Sequence, residues 1–140
     1  MILEEDSLFD FSYDVRTDIL TVRFPDAIGT PVSQIENSLQ KLARNVANFD
    51  VKKLLLDIST GVPGLDDEHY QELAKHFLQT LRQSRVEKVA RVIPENPARE
   101  YLIDHFAQEV YKDLSLPFKA QSFHDKTEAL AWLQDPIDLP

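Results

Sequence analysis

The sequence has 140 residues, of which 43% are hydrophobic and 28% are charged, a composition typical of one soluble globular domain. Its formal net charge of −9 argues against binding to nucleic acid or to anionic lipid, because both partners require a basic protein surface. The absence of cysteine excludes disulfides, thiol nucleophiles and thiolate metal sites.

The first predicted element is a β-hairpin in residues 7–24. Apolar and polar side chains alternate on both sides of a short polar break at residues 16–18. Such alternation indicates strands with one buried face and one wet face. The residues predicted to face the core are Phe9, Phe11, Tyr13, Val15, Leu20, Val22 and Phe24.

An amphipathic helix is predicted next, with Thr30 as its N-cap, Pro31 at its first position and an end near Asp50. Its apolar residues recur at helical spacing, and they are Val32, Ile35, Leu39, Leu42, Ala43, Val46 and Phe49.

Residues 51–73 form the central stretch of the chain. Residues 53–59 read as a strand that is apolar on both faces, and the chain then turns and restarts as a helix at Asp66 or Asp67. A strand of this kind is typical of the interior of a parallel sheet. Ligands and partners meet such sheets at the loops that follow the carboxyl ends of the strands. This loop is therefore the predicted functional edge.

Five segments in the rest of the chain complete the prediction. The second helix runs to about Ser84, and a strand (86–93), a third helix (97–114) and a fifth strand (118–123) follow. A capping-box arrangement of Asp125 and Glu128 opens the last helix, 127–134. The order β-β-α-β-α-β-α-β-α predicts one α/β domain over residues 1–135, with a five-stranded mixed sheet, four helices and a tail at 136–140.

The order of elements, the strand at residues 54–59 (LLLDIS) and the strand at 89–93 (VARVI) resemble the SpoIIAA-like branch of the STAS superfamily, whose members include anti-sigma-factor antagonists. The most specific part of the resemblance is the ending, residues 123–133, which has the form F-x-D-x-x-E-A-x-x-W-L. The resemblance covers nearly the whole chain. It implies a STAS fold and a non-enzymatic regulatory role in binding another protein.

In the phospho-switched members, a serine at the start of the helix after strand three is phosphorylated by a partner kinase. Residues 64–69 of this chain read GLDDEH and contain no serine or threonine, which puts that switch in doubt. Either Asp67 or Glu68 imitates a permanently charged state, or both simply cap the helix. Ser59 and Thr60 lie nearby, where loop hydroxyls usually stabilise turns.

The candidate binding surface is the loop after strand three together with the start of helix two. Its residues are Asp57, Ser59, Thr60, Gly61, Gly64, Asp66, Asp67 and Glu68. Exposed amides at a helix N-terminus can meet a partner's side chains, and the carboxylates here favour a basic protein patch over an anion. Gly61 and Gly64 suit a tight turn more than a phosphate cradle, since no phosphate-binding glycine motif occurs.

Two other functions stay open. A metal-dependent hydrolase would use Asp57 and Asp66 with a histidine, although His69 and His76 are too far apart for a one-turn metal pair. A carrier of lipids or other small apolar ligands would show an unfilled cavity between helices and sheet.

The sequence predicts no catalytic residue, no metal ligand and no cofactor. Self-association through an edge strand is also open.

The last prediction concerns where in the cell the protein is found. The acidic N-terminus lacks the features of a secretion signal, and no apolar run approaches the ~18 residues of a membrane span. We therefore expect a cytoplasmic protein that is not inserted in a membrane.

Overall fold

The computed structural model describes residues 10–23, 32–57, 67–93 and 117–135. In chain order the elements are β1 (Asp10–Asp14), β2 (Ile19–Arg23), α1 (Val32–Asn48), β3 (Lys53–Asp57), α2 (Asp67–Arg82), β4 (Lys88–Val92), β5 (Lys119–Phe123) and α3 (Lys126–Gln134). Each lies where the sequence predicts a strand or a helix. The helix predicted at 97–114, the cap formed by Thr30 and Pro31 and the tail at 136–140 lie outside the described residues.

The five strands form one sheet in the order β1-β2-β3-β4-β5. β1 pairs with β2 antiparallel, whereas the other three pairs are parallel, which confirms the predicted mixed sheet. Parallel strands need a crossover, and crossovers are right-handed. Because the strands advance in one direction across the sheet, α1 and α2 both lie on the same face.

Two apolar cores lie on opposite faces of the sheet, because successive side chains of a strand point to opposite faces. The first core lies under α1 and α2 and consists of Leu20, Val22, Leu42, Val46, Val51, Leu54, Leu56, Phe77, Leu81, Val86, Val89 and Phe118. The second core lies under α3 and consists of Ile19, Leu55, Ala90, Val92, Ala129 and Leu133. β3 contributes to both cores, as expected of a strand in the middle of a sheet.

The hairpin differs from its predicted pattern at two residues. Val15 is 69% exposed, because β1 ends at Asp14 and Val15 begins the turn, where strand alternation no longer applies. Ile19 is buried on the second face, where the prediction had a wet face. Its strand pairs with β3, whose second face is covered by α3, so β2 is buried on both sides at this position.

The turn of the hairpin is held by Asp14 and Asp18. The backbone amide of Arg16 donates to Asp14 Oδ1 (2.9 Å), and Asp18 adopts a left-handed conformation with φ 57°. The Tyr13 hydroxyl donates to Asp18 Oδ1 (2.5 Å). This bond to the Asp18 carboxylate, together with burial, raises the pKa of Tyr13 to about 12.

α1 ends in a left-handed residue of the same type. Asp50 has φ 51°, and the amide of Val51 donates to the carbonyl of Val46 (3.1 Å), the six-to-one bond of a Schellman motif. Glycine is the usual residue at this position, because a Cβ atom is unfavourable there.

α3 is held at both ends by polar contacts. At its start, Asp125 Oδ1 accepts from the Thr127 amide (2.9 Å), as the predicted cap requires. At its end, the Lys88 ammonium donates to the carbonyls of Trp132 (2.8 Å) and Asp135 (2.9 Å), although Lys88 is only 4% exposed. Its Nζ also lies 4.9 Å from the centre of the Trp132 ring. A cation is favourable at this end because helix carbonyls carry partial negative charge.

Candidate functional site

The carboxyl ends of the parallel strands and the first turns of the helices meet at one edge of the sheet, which we call the carboxyl edge. Asp57 is the last residue of β3 and lies at this edge. Asp67 and Glu68 begin α2, although their side chains are not among those described. The remaining candidates, Ser59, Thr60, Gly61, Gly64 and Asp66, lie outside the described residues.

Asp57 is a buried carboxylate with 8% exposure, and its position decides which groups it can meet. It shares the second face with Leu55, because the two residues are two apart on one strand. Its cross-strand neighbours are Arg23 on β2 and Val92 on β4. α2 packs on the first face, so Asp57 and the body of α2 are separated by the sheet.

The histidine that the structure describes on α2 is also remote from Asp57. His76 is an exposed residue on the side of α2 that faces α1, over the first face, so the structure does not bring these two residues into one pocket. Within the described ranges no group of three or more histidine, aspartate or glutamate side chains is arranged to hold a metal ion. His69 and His105 have no described side chain.

The two edges of the sheet carry different charge. Among the described residues, acidic positions outnumber basic ones at the carboxyl edge: Asp10, Glu36, Asp57, Asp67, Glu68, Glu72, Asp125 and Glu128 against Arg23, Arg91 and Lys126. The opposite edge, which we call the amino edge, has the reverse balance: Arg16, Arg44, Lys52, Lys53, Arg82, Arg85, Lys88 and Lys119 against Asp14, Asp18, Asp50, Glu87 and Asp135.

A groove of about 710 Å³ runs between α1 and α2, and the sequence analysis did not predict it. Its lining residues are Glu36, Leu39, Gln40, Ala43, Arg44, Ala47, Glu72, His76, Phe77 and Thr80. The α1 members recur at intervals of three and four residues, which was a signal available in the sequence, because such residues share one side of a helix. The described lining residues all belong to α1 and α2, whereas a ligand carrier is expected to have its cavity between helices and sheet.

No protein-family model matches the chain, and no curated protein matches it. The structure is similar to the crystal structure of an uncharacterised protein of the DUF3478 family with a SpoIIAA-like fold, from Shewanella loihica. The TM-score is 0.51 at 16% sequence identity, and the match covers 95% of this chain and 99% of the other. This fold is SpoIIAA-like. The expectation that the sequence ending and the element order raised is thereby confirmed for the fold, and an identity this low carries no function across.

The candidate surface includes the first turn of α2. In this chain the helix after β3 starts at Asp67, as predicted from the acidic residues at 66–68. None of the described helices is long and apolar enough to cross a membrane.

Proposed function

We propose that this SpoIIAA-like domain is a non-enzymatic regulatory module that binds a protein partner carrying a basic patch. The contact surface in this proposal is the carboxyl edge, centred on the loop after β3 and the first turn of α2. The observation that carries the proposal is the opposite charge of the two edges. A partner with a basic patch is attracted to the carboxyl edge and repelled by the amino edge, so charge alone orients it.

The position of the acidic residues supports the same choice of partner. Asp67 and Glu68 begin α2, and Asp125 and Glu128 begin α3, so helix starts contribute to the acidic character of the carboxyl edge. A helix start without carboxylates attracts anions through its exposed amides. Here carboxylates lie next to the exposed amides, so their negative charge disfavours an anionic ligand and favours lysine and arginine side chains.

The test is an affinity capture from the extract of the native cell with the Asp66→Lys/Asp67→Lys variant and a matched control. The control is Glu87→Lys/Asp135→Lys, which changes the net charge equally but at exposed residues of the amino edge. We expect a partner that is recovered by the wild-type protein and by the control and is lost with the Asp66→Lys/Asp67→Lys variant.

Three results count against the proposal. Recovery of the same partner by both variants moves the contact away from the carboxyl edge. Loss with both variants shows that net charge, and not this surface, governs the capture. A capture that yields no specific protein removes the support for a binding role, and screens for ligands and for enzymatic activity then come first.

A further inference from the structure

The groove between α1 and α2 has an apolar floor and charged ends. Phe77 and Ala43 are buried at its floor, and Leu39 is half-buried beside them. The small side chains of Ala43 and Ala47 on α1 leave the space open where larger residues would fill it. An open, partly apolar cleft of this volume falls within the range of about 300–1,000 Å³ found for binding pockets.

Charge changes sign along the groove. Glu36 and Glu72 are both exposed and lie toward the starts of α1 and α2, next to the carboxyl edge. Arg44 lies eight residues after Glu36 on α1, which is about 12 Å along a helix that rises ~1.5 Å per residue. A cation in the groove is therefore attracted to the Glu36 end and repelled at the Arg44 end.

We propose that this groove binds a peptide segment of the partner that carries a lysine or arginine followed by apolar side chains. The cationic group lies between Glu36 and Glu72, and the apolar side chains cover Phe77 and fill the space above Ala43 and Ala47. This inference rests on the proposed function, since it names where a basic partner docks. From Glu36 to Ala47 the groove is about 16 Å long, which accommodates about five residues of extended chain.

Charge complementarity favours this occupant over a second copy of the chain. Each copy has a formal net charge of −9, so two copies repel one another at long range. A cationic and apolar peptide meets opposite charge at one end of the groove and apolar surface in its middle. An anionic peptide has no such match beside Glu36 and Glu72.

The test begins with a display library of random peptides selected against the full chain. We expect enrichment of peptides in which lysine or arginine stands next to leucine, isoleucine, phenylalanine or tryptophan. The affinity of the best synthetic peptide is then measured by fluorescence anisotropy against the wild-type protein and five variants, one of which is Asp66→Lys/Asp67→Lys.

Two variants change the groove, and each has a matched control. Ala47→Trp fills one end of the groove, while Ala131→Trp places the same bulk at an exposed alanine of α3. Glu36→Lys/Glu72→Lys reverses the charge at the other end, while Glu87→Lys/Asp135→Lys makes the same change at the amino edge. We expect each groove variant to weaken binding about tenfold or more, because removed attraction becomes repulsion or a steric clash. Both controls should retain the wild-type affinity.

Each other outcome overturns the inference. Enrichment of acidic peptides, or no enrichment, excludes a basic occupant. Unchanged affinity for Ala47→Trp excludes the groove as the docking place. A wild-type protein that sediments as a dimer and becomes monomeric in Ala47→Trp assigns the groove to a second copy.

The proposed function and the groove can fail separately. A peptide whose binding survives both groove variants but is lost in Asp66→Lys/Asp67→Lys contradicts the groove and supports the carboxyl-edge surface. A peptide that binds all of these variants equally contradicts both proposals.

Discussion

The two faces of the sheet are stabilised in different ways. The first core has two long helices above it and, among the described residues, contains twice as many buried residues as the second, with Phe77, Leu81 and Phe118 in the first core. The second core is covered, within the described residues, by the nine-residue helix α3. A helix this short is marginal in water by itself, so its position depends on contacts with the rest of the molecule.

Those contacts are polar at the two ends of α3 and apolar along the side that faces the sheet. Asp125 satisfies an amide at the start and Lys88 satisfies two carbonyls at the end, while Ala129 and Leu133 pack against the sheet. On the first face burial of apolar area does most of the stabilising. Because α3 is short, we expect its stability to depend more on these end contacts than the stability of α1 or α2 does.

The largest expected effect comes from Leu54 and Leu55, which are adjacent on β3 and both fully buried, but face different cores. Leu54→Ala should lower the free energy of unfolding by about 3–5 kcal/mol, because two packed helices relax little around the cavity. Leu55→Ala should cost about 2–3 kcal/mol, because α3 can move to close the cavity. Urea denaturation followed by circular dichroism measures both values. An equal or greater cost for Leu55→Ala would contradict the difference between the faces.

The next effect comes from Lys88. Lys88→Met keeps the apolar stem but removes two hydrogen bonds from a charged donor, and should cost about 1.5–3 kcal/mol. Trp132 is the sole tryptophan of the chain, so its fluorescence reports on α3. We expect its emission to change at lower urea than the circular dichroism signal. Lys119→Met, at an exposed position in the same row of the sheet, is the control, and an equal effect of the two substitutions would show that Lys88 is no anchor.

A smaller effect is expected at the start of α3. Asp125→Ala removes the cap of the Thr127 amide and should cost about 1 kcal/mol. Asp125→Asn keeps a good capping side chain and should restore most of the stability. The urea midpoint of the Trp132 emission measures both. If asparagine destabilises as much as alanine, capping is not the function of Asp125.

The smallest effect is expected at Tyr13, a partly buried residue that packs against the first core. The pKa of Tyr13 rises from 10.0 to about 12 on folding, so its contribution to stability is complete below pH 10 and is lost as the pH rises through 12. The absorbance of tyrosinate, compared between wild type and Tyr13→Phe, should show this late titration. Asp18→Asn should return the pKa toward 10, and a pKa near 12 in that variant would exclude Asp18 as the cause.

Much of the fold could be predicted because its signals are local. The apolar run at residues 54–56, the helical spacing in α1 and the cap at Asp125 each act over a few residues, and the structure confirms them. The exposure of Val15 and the burial of Ile19 were not predicted. Both depend on where a strand stops and on what covers its second face, and alternation along one strand does not contain that information.

The candidate site was less accessible to prediction. Asp57 was expected at the end of a buried strand, and it lies there. What covers its side of the sheet depends on the packing of α3, some 70 residues later in the chain. No role was predicted for Lys88 from the sequence, because its burial against α3 depends on a contact 44 residues away. The groove requires the relative position of two helices. Such long-range relations are set by tertiary packing and not by the pattern of one segment.

The strand order has a consequence for how the chain assembles. Every strand is hydrogen-bonded to its neighbours in sequence, so the sheet can grow at one edge as the chain leaves the ribosome. β1 and β2 form the first hairpin, and each later strand adds to the edge formed by the strand before it. The chain segment between two pairing strands is therefore short compared with the whole chain. Among the described elements α3 emerges last. Of the described elements, α3 is the one that covers the second face, so until α3 has been synthesised Leu55 and Ala90 lack this cover and form an apolar surface that chaperones can bind.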